Sequence, residues 1–127
     1  MDSLLDRFCR YVQVDTQADE RATSYPSSPG QLELGKVVLG ELKAIGLRDA
    51  VQADHGIVWA NLPATLKKAT PTIAWIAHFD TSPETSGHKV KPIVHRNYDG
   101  GDIALPGDRS KIIRAAESPL ERVARRC

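Results

Sequence analysis

The sequence predicts an α/β fold, in which helices cover a small sheet. Two segments, residues 3–14 and 28–46, carry apolar side chains at helical spacing. Between residues 47 and 77 the pattern changes to short strand-like runs separated by turn residues. The chain of 127 residues has the length of about one domain.

The first predicted helix covers residues 3–14. Leu4, Leu5, Phe8 and Val12 recur at the spacing that places them on one face, with charged residues between them. The polar, turn-rich stretch that follows is expected to be a loop.

The second predicted helix has clear signals at both ends. Ser28 is expected at the N-cap, with Pro29 at the first helical position and Gln31 at the spacing of a capping box. Gly46 is expected to end the helix, because glycine adopts the left-handed conformation without steric cost. The predicted buried stripe consists of Leu34, Val38, Leu42 and Ile45.

Three strands are predicted after the helices. Residues 47–62 are expected to form a hairpin around the turn sequence ADHG. Residues 72–77, with the sequence TIAWIA, lack polar alternation and are expected to be a strand covered on both faces. Trp59 and Trp75 are accordingly assigned to the core.

The remainder of the chain is predicted to be mostly irregular. The stretch from residue 82 to 111 is rich in Pro, Gly, Asp and Ser, and admits one short strand at 91–95. In the segment Asp99-Gly100-Gly101-Asp102, the paired glycines favour a tight turn over a feature of an active site. Ser118 and Glu121 have capping-box spacing, so a terminal helix is expected to start there.

Composition and charge exclude several classes of function. The formal net charge of +1 gives no electrostatic reason to expect binding to nucleic acid or an anionic membrane. The two cysteines, Cys9 and Cys127, form no disulfide framework or metal knuckle and fit a reducing compartment. The chain has neither a signal peptide nor an apolar run long enough to span a membrane, so a cytoplasmic location is expected.

Candidate chemistry lies where the third predicted strand ends, at His78 and Asp80. Side chains two apart on a strand point to the same side, and ligands of α/β proteins collect at strand ends. A neutral imidazole is a common zinc ligand, and a nearby carboxylate can orient it. From spacing alone a second interpretation stays open, in which His78 only caps the strand or hydrogen-bonds Asp80. The other histidines, His55, His88 and His95, are interpreted as surface residues.

Five segments together resemble peptidase T, in the family of dinuclear zinc exopeptidases. They are LLDRFCRYVQVDTQAD, YPSSPGQLELGKVVLGELKAIGL, GIVWANLPA, IAHFDTSPETSG and NYDGGDIAL, and they run in the family's order. The resemblance implies that residues 1–114 are the N-terminal part of a three-layer catalytic domain, a mixed sheet flanked by helices. Residues 115–127 match less well and are treated as a tail.

The resemblance also assigns roles at the predicted site. It implies that His78 is a ligand to one of two zinc ions, and that Asp80 is the catalytic aspartate that fixes the ligand histidine or the metal pair. The implied activity is release of the N-terminal residue of tripeptides by two-zinc hydrolysis, in an enzyme that can be a homodimer. The family's bridging carboxylate, its glutamate base and its remaining ligands are expected beyond residue 127, so the isolated chain is expected to be an inactive, marginally stable fragment.

Two alternatives remain open. The chain can be a non-catalytic remnant or an interaction module that keeps part of the fold. It can also derive from another hydrolase of the superfamily, such as a deacylase, although the segments around His78 and Asp99 favour peptidase T.

Overall fold

A computed structural model of the chain describes residues 2–117. The chain divides into two compact units, Met1–Pro92 and Ile93–Cys127. In the first unit the elements are α1 (Leu4–Tyr11), α2 (Pro29–Ala44), β1 (Val51–Gln52) and β2 (Val58–Trp59). The second unit contains β3 (Ile103–Leu105), β4 (Asp108–Ile113) and a short 3-10 turn at Ala115–Glu117. Helices and strands together confirm the α/β class.

Helix α1 confirms the first predicted helix but is shorter at its C-terminal end. Ser3 caps it through a capping box, in which the Asp6 N–H donates to the Ser3 hydroxyl and the Asp6 carboxylate accepts from the Ser3 N–H. None of the helix's residues is buried, and Leu4 and Phe8 of the apolar face are exposed. The predicted stripe therefore exists, with Leu4, Leu5 and Phe8 exposed and Val12 half-buried.

Polar contacts hold α1 against α2, and they converge on Glu41. The Tyr11 hydroxyl and the Arg10 guanidinium each donate to one carboxylate oxygen of Glu41. The Arg7 Nε lies 3.5 Å from Glu41 Oε2. The hydrogen bond from Tyr11, followed by that from Arg10, lowers the pKa of Glu41, whereas burial is the main cause that raises the pKa of Tyr11.

Helix α2 begins at Pro29, as predicted, but its cap differs from the expectation. Ser28 occupies the N-cap position, yet its hydroxyl forms no capping hydrogen bond. The predicted capping box is therefore wrong. The Gln31 side chain instead donates to the Thr16 carbonyl at 3.4 Å and to the Ser27 hydroxyl at 3.0 Å, which ties α2 to the preceding loop.

The apolar stripe and the end of α2 follow the prediction in part. Leu34 is buried, whereas Val38 and Leu42 are half-buried and Ile45 is exposed. Gly46, just beyond the helix, has a φ of 103°, the left-handed conformation expected of a terminating glycine.

The predicted first hairpin is confirmed. Strands β1 and β2 pair antiparallel, with Val51 opposite Trp59 and Gln52 opposite Val58. Gly56 closes the turn with a φ of 85°. The Gln52 side chain donates to the Leu32 carbonyl at 3.0 Å, so the hairpin is attached to α2.

Residues 72–77 do not form the predicted strand. The segment is in no strand or helix, and its backbone makes no hydrogen bond with any described residue. Trp75 is 95% exposed and Ile76 is 93% exposed, and Trp59 in β2 is also exposed. The assignment of both tryptophans to the core is therefore wrong, because half or more of each side chain is exposed.

The second unit contains a hairpin that the sequence analysis missed. Strands β3 and β4 pair antiparallel around the turn at Pro106 and Gly107, with Ile103 opposite Ile113. No strand is found at residues 91–95, so that part of the prediction is wrong.

The turn predicted at residues 99–102 is confirmed. The Asp99 carboxylate accepts from the Gly101 N–H at 2.9 Å, and Gly100 has a φ of 86°. Asp102 has a structural role, since its carboxylate accepts from the Ala115 N–H at 3.0 Å and lies 3.4 Å from the Arg114 guanidinium.

The terminal helix predicted from Ser118 lies outside the described residues, as does Cys127. Within residues 2–117, no helix is long and apolar enough to cross a membrane.

Candidate metal site at His78 and Asp80

The chain around the candidate site is fixed just after Asp80. Thr81 forms a parallel bridge with Gln17, in the loop that follows α1. The Thr81 N–H donates to the Thr16 carbonyl at 3.2 Å, and the Thr81 carbonyl accepts from the Ala18 N–H at 2.9 Å. These bonds hold the segment that carries the site against the loop, even though residues 72–77 themselves are unpaired.

The supporting loop is itself anchored at the start of α2. Thr16 is buried, and its carbonyl also accepts from the Gln31 side chain. Gly30 lies so close to the loop that an added Cβ would be 1.7 Å from the Asp15 carbonyl oxygen. A glycine at this position lets the loop and the helix approach, so the sequence of α2 determines where the loop can lie.

His78 and Asp80 are brought together. The His78 Nδ1 lies 2.8 Å from the backbone carbonyl oxygen of Asp80 and 3.3 Å from its carboxylate Oδ1. Because a carbonyl oxygen can only accept, this contact is a hydrogen bond when Nδ1 carries the proton. In that tautomer the lone pair of the ring is on Nε2, which forms no hydrogen bond with a described residue, and the side chain is 83% exposed.

Both interpretations of the H-x-D sequence are compatible with this geometry. The hydrogen bond to Asp80 is the structural interpretation, and it is present. The same bond fixes the ring and its tautomer, which is the arrangement that metal-ligating histidines commonly have. The contact therefore does not exclude a ligand role for Nε2.

The donor set fits a zinc site only in part. A catalytic zinc ion takes three protein ligands, and His78 with Asp80 supplies at most two donor groups. Residues 2–117 contain no group of three or more His, Cys, Asp or Glu side chains that could hold a metal ion. The described part of the chain could thus contribute to a metal site but could not complete one.

The remaining histidines have other surroundings. His55 lies against the Tyr25 ring, with centroids 5.8 Å apart, and His95 is exposed. His88 is exposed, with its Nδ1 3.7 Å from Asp15 Oδ2. The sequence analysis did not anticipate this last contact, because nothing in the local pattern joins two residues so far apart in the chain.

A shallow depression near the start of α2 does not include the candidate site. Its walls combine the carboxylates of Asp15 and Asp19 with the helix N-terminus, which carries partial positive charge. These opposite signs favour neither an anion nor a cation. The lining residues are Asp15, Gln17, Ala18, Asp19, Ser28, Pro29 and Gly30.

Comparison with known proteins supports the resemblance predicted from the sequence. No model of a protein family matches the chain. Proteins named peptidase T do match: that of Clostridium acetobutylicum is 43% identical over 94% of this chain. Those of Listeria monocytogenes serotype 4a and Bacillus cereus strain G9842 are 42% and 41% identical over 93% and 91% of it.

The match covers only part of these relatives. The chain spans 29% of the length of the Clostridium and Listeria proteins and 28% of the Bacillus protein. The resemblance is confirmed, and this chain is homologous, over nearly all of its own length, to about a quarter to a third of peptidase T.

Proposed function

We propose that the chain is the N-terminal part of the catalytic domain of a two-zinc aminopeptidase that acts on tripeptides. Its homology to proteins named peptidase T supports this proposal. The structural observation that carries it is the orientation of His78, whose Nδ1 faces Asp80 while Nε2 remains open. The proposal includes a three-layer fold that contains residues 1–114, a cytoplasmic location and a homodimer of the complete enzyme.

In this proposal His78 is a zinc ligand through Nε2, and Asp80 is a positioning residue. The Asp80 carbonyl and carboxylate both lie on the Nδ1 side of the ring, at 2.8 and 3.3 Å. They keep the proton on Nδ1 and leave the lone pair on Nε2. Zinc, when bound, would polarise the peptide carbonyl and lower the pKa of the attacking water.

The number of zinc ligands in the chain bears on whether the isolated chain can be active. Since residues 2–117 contain no group of three or more His, Cys, Asp or Glu side chains that could hold a metal ion, we propose that the other ligands and the general base come from sequence outside that range. We expect the 127-residue chain by itself to be non-catalytic, as in the alternative of a remnant or interaction module.

A chimera tests the proposal. Residues 1–114 of this chain replace the matched segment of the Clostridium acetobutylicum peptidase T, and tripeptide hydrolysis is measured with added zinc. We expect turnover by the chimera and none by the isolated chain. A soluble chimera that binds zinc but cleaves no tripeptide, or an isolated chain that does cleave, would refute the proposal.

The role of Asp80 is tested in the same chimera. Asp80→Asn keeps the backbone carbonyl but removes the carboxylate charge beside Nδ1, so zinc affinity should fall about 10- to 100-fold. A purely structural role would lower thermal stability and leave the zinc affinity of the folded fraction unchanged. Glu84→Gln, in the exposed loop that follows, serves as the control for loss of one negative charge.

A further inference from the structure

We propose that Gln31, in the first turn of α2, is a positioning residue for the His78 imidazole. The inference rests on the proposed function and deepens it, because it gives a helix side chain a role at the candidate site. Its basis is a series of hydrogen bonds that leads from the Gln31 amide to His78 Nδ1. The Thr16 carbonyl and the peptide unit between Asp80 and Thr81 connect the two ends.

The peptide unit between Asp80 and Thr81 is the central link of this series. Its C=O group belongs to Asp80 and lies 2.8 Å from His78 Nδ1. Its N–H group belongs to Thr81 and donates to the Thr16 carbonyl at 3.2 Å. A peptide unit is planar, and in its trans form these two groups point in opposite directions. A bond that fixes the N–H therefore also fixes the C=O that faces the ring.

The Thr16 carbonyl is in turn held by two donors. It accepts from the Thr81 N–H and, at 3.4 Å, from Gln31 Nε2. A carbonyl oxygen has two lone pairs, so these donors fill its acceptor capacity. Thr16 is 3% exposed and Gln31 is 8% exposed, so little water can reach this carbonyl to replace the amide. The Gln31 side chain thus sets the direction of the Thr16 carbonyl.

The Gln31 amide has a fixed orientation of its own. Its nitrogen also donates to the Ser27 hydroxyl at 3.0 Å, so both of its hydrogens are used. The same hydroxyl accepts from the Asp19 N–H at 3.2 Å, which keeps Ser27 against the loop. Because Gln31 is part of helix α2, it ties the position of the Thr16 carbonyl to that of a regular element.

Loss of the Gln31 amide should loosen the His78 ring. The Thr16 carbonyl would then be held by one donor and could turn together with the Asp80–Thr81 peptide. The longer contact of Nδ1 with the Asp80 carboxylate, at 3.3 Å, would remain, so the change is partial. A ring that carries its proton on Nε2 has no lone pair there for a zinc ion.

NMR of the ring nitrogens in the metal-free chain tests this inference, at a pH at which the imidazole is neutral. Gln31→Met removes the amide but keeps a side chain of similar length and helix propensity. We expect His78 to be protonated chiefly on Nδ1 in the unmodified chain, and Gln31→Met to shift the tautomer population toward Nε2. Gln52→Met is the matched control, because Gln52 also donates from Nε2 to a backbone carbonyl, that of Leu32 at 3.0 Å. It should leave the tautomer unchanged.

Zinc affinity of the chimera provides the second measurement. Loss of a group that orients a ligand lowers metal affinity about 10- to 100-fold, and Gln31 acts through Asp80, so we expect about tenfold for Gln31→Met. Gln52→Met should leave the affinity unchanged. The affinity is measured on the folded fraction, so a loss of stability alone does not change it. The chimera also supports Gln31→Met if the isolated variant fails to fold.

Three results would overturn the inference. They are a His78 ring protonated chiefly on Nε2 in the unmodified chain, the same tautomer population in Gln31→Met as in the unmodified chain, and equal zinc affinities of the Gln31→Met and Gln52→Met chimeras. The tautomer measurement uses neither zinc nor substrate. An inactive chimera would therefore refute the proposed function, whereas the tautomer result decides the role of Gln31 separately.

Discussion

Glu41→Ala should release helix α1 from α2. The change removes the acceptor for the Tyr11 hydroxyl and the Arg10 guanidinium, and the carboxylate 3.5 Å from Arg7. No residue of α1 is buried, and a helix of 8 residues is not stable alone in water. Polar contacts to Glu41 are therefore the main interactions that hold α1 in place.

The size of the effect follows from the hydrogen bond between Tyr11 and Glu41. A hydrogen bond to a charged group contributes about 1.5–3 kcal/mol net. The Glu41 side chain is 20% exposed, so we take the lower end, about 1.5 kcal/mol. Amide hydrogens of α1 should then exchange about tenfold faster than in the unmodified chain.

Hydrogen exchange followed by mass spectrometry measures this difference. Glu33→Ala is the matched control, because Glu33 lies on the same helix, is exposed and has no hydrogen bond or ion pair with a described residue. Both variants make the same change in helix propensity. Equal exchange of α1 in the two variants would refute the role assigned to Glu41.

Other predictions concern glycines and pH. Gly40→Ala should stabilise α2 by about 1 kcal/mol, because an added Cβ meets no atom within 4 Å. Gly30→Ala should destabilise the chain by about 1–3 kcal/mol, since its Cβ would meet the Asp15 carbonyl. Urea unfolding measures the stability of both variants. A Gly30→Ala chain as stable as the unmodified one would contradict the role given to Gly30 in placing the loop. The pKa of Glu41 is lowered in the folded state, so its contribution to stability is present above the ordinary carboxyl pKa and is lost as the pH falls through the lowered value. The pKa of Tyr11 is raised, so its contribution is present below the ordinary tyrosine pKa and is lost as the pH rises through the raised value. Protection of the α1 amides, relative to their intrinsic exchange rate at each pH, should therefore fall at both extremes. Glu41→Gln should remove the fall at acid pH, and an unchanged fall would show that another group is responsible.

Local chemistry predicted the elements that local interactions determine. Pro29 marks the start of α2 and Gly46 marks its end, because their backbone preferences act within one turn of chain. The first hairpin followed from its turn in the same way. The second hairpin carried a weaker signal, with Pro106-Gly107 after the apolar run Ile103–Leu105 and before a mostly polar strand. It was missed because the surrounding glycines and aspartates were interpreted as loop.

Long-range partners could not be predicted from the sequence. The composition of residues 72–77 is that of a strand, but a strand requires a neighbour, and no described residue supplies one. At the site, the contact between His78 and Asp80 could be predicted because only one residue separates them in the chain. The pairing of Thr81 with Gln17 depends on tertiary structure, which no local pattern reports.

Zinc content of the chimera with and without the His78 imidazole tests the central claim most directly. His88→Ala is the matched control, because His88 is also exposed and also has Nδ1 near an aspartate, at 3.7 Å. We predict that His78→Ala binds at least one zinc ion fewer per chain than the unmodified chimera, whereas His88→Ala binds the same number. Full zinc content and full tripeptide cleavage in His78→Ala would contradict the assignment of His78 as a ligand.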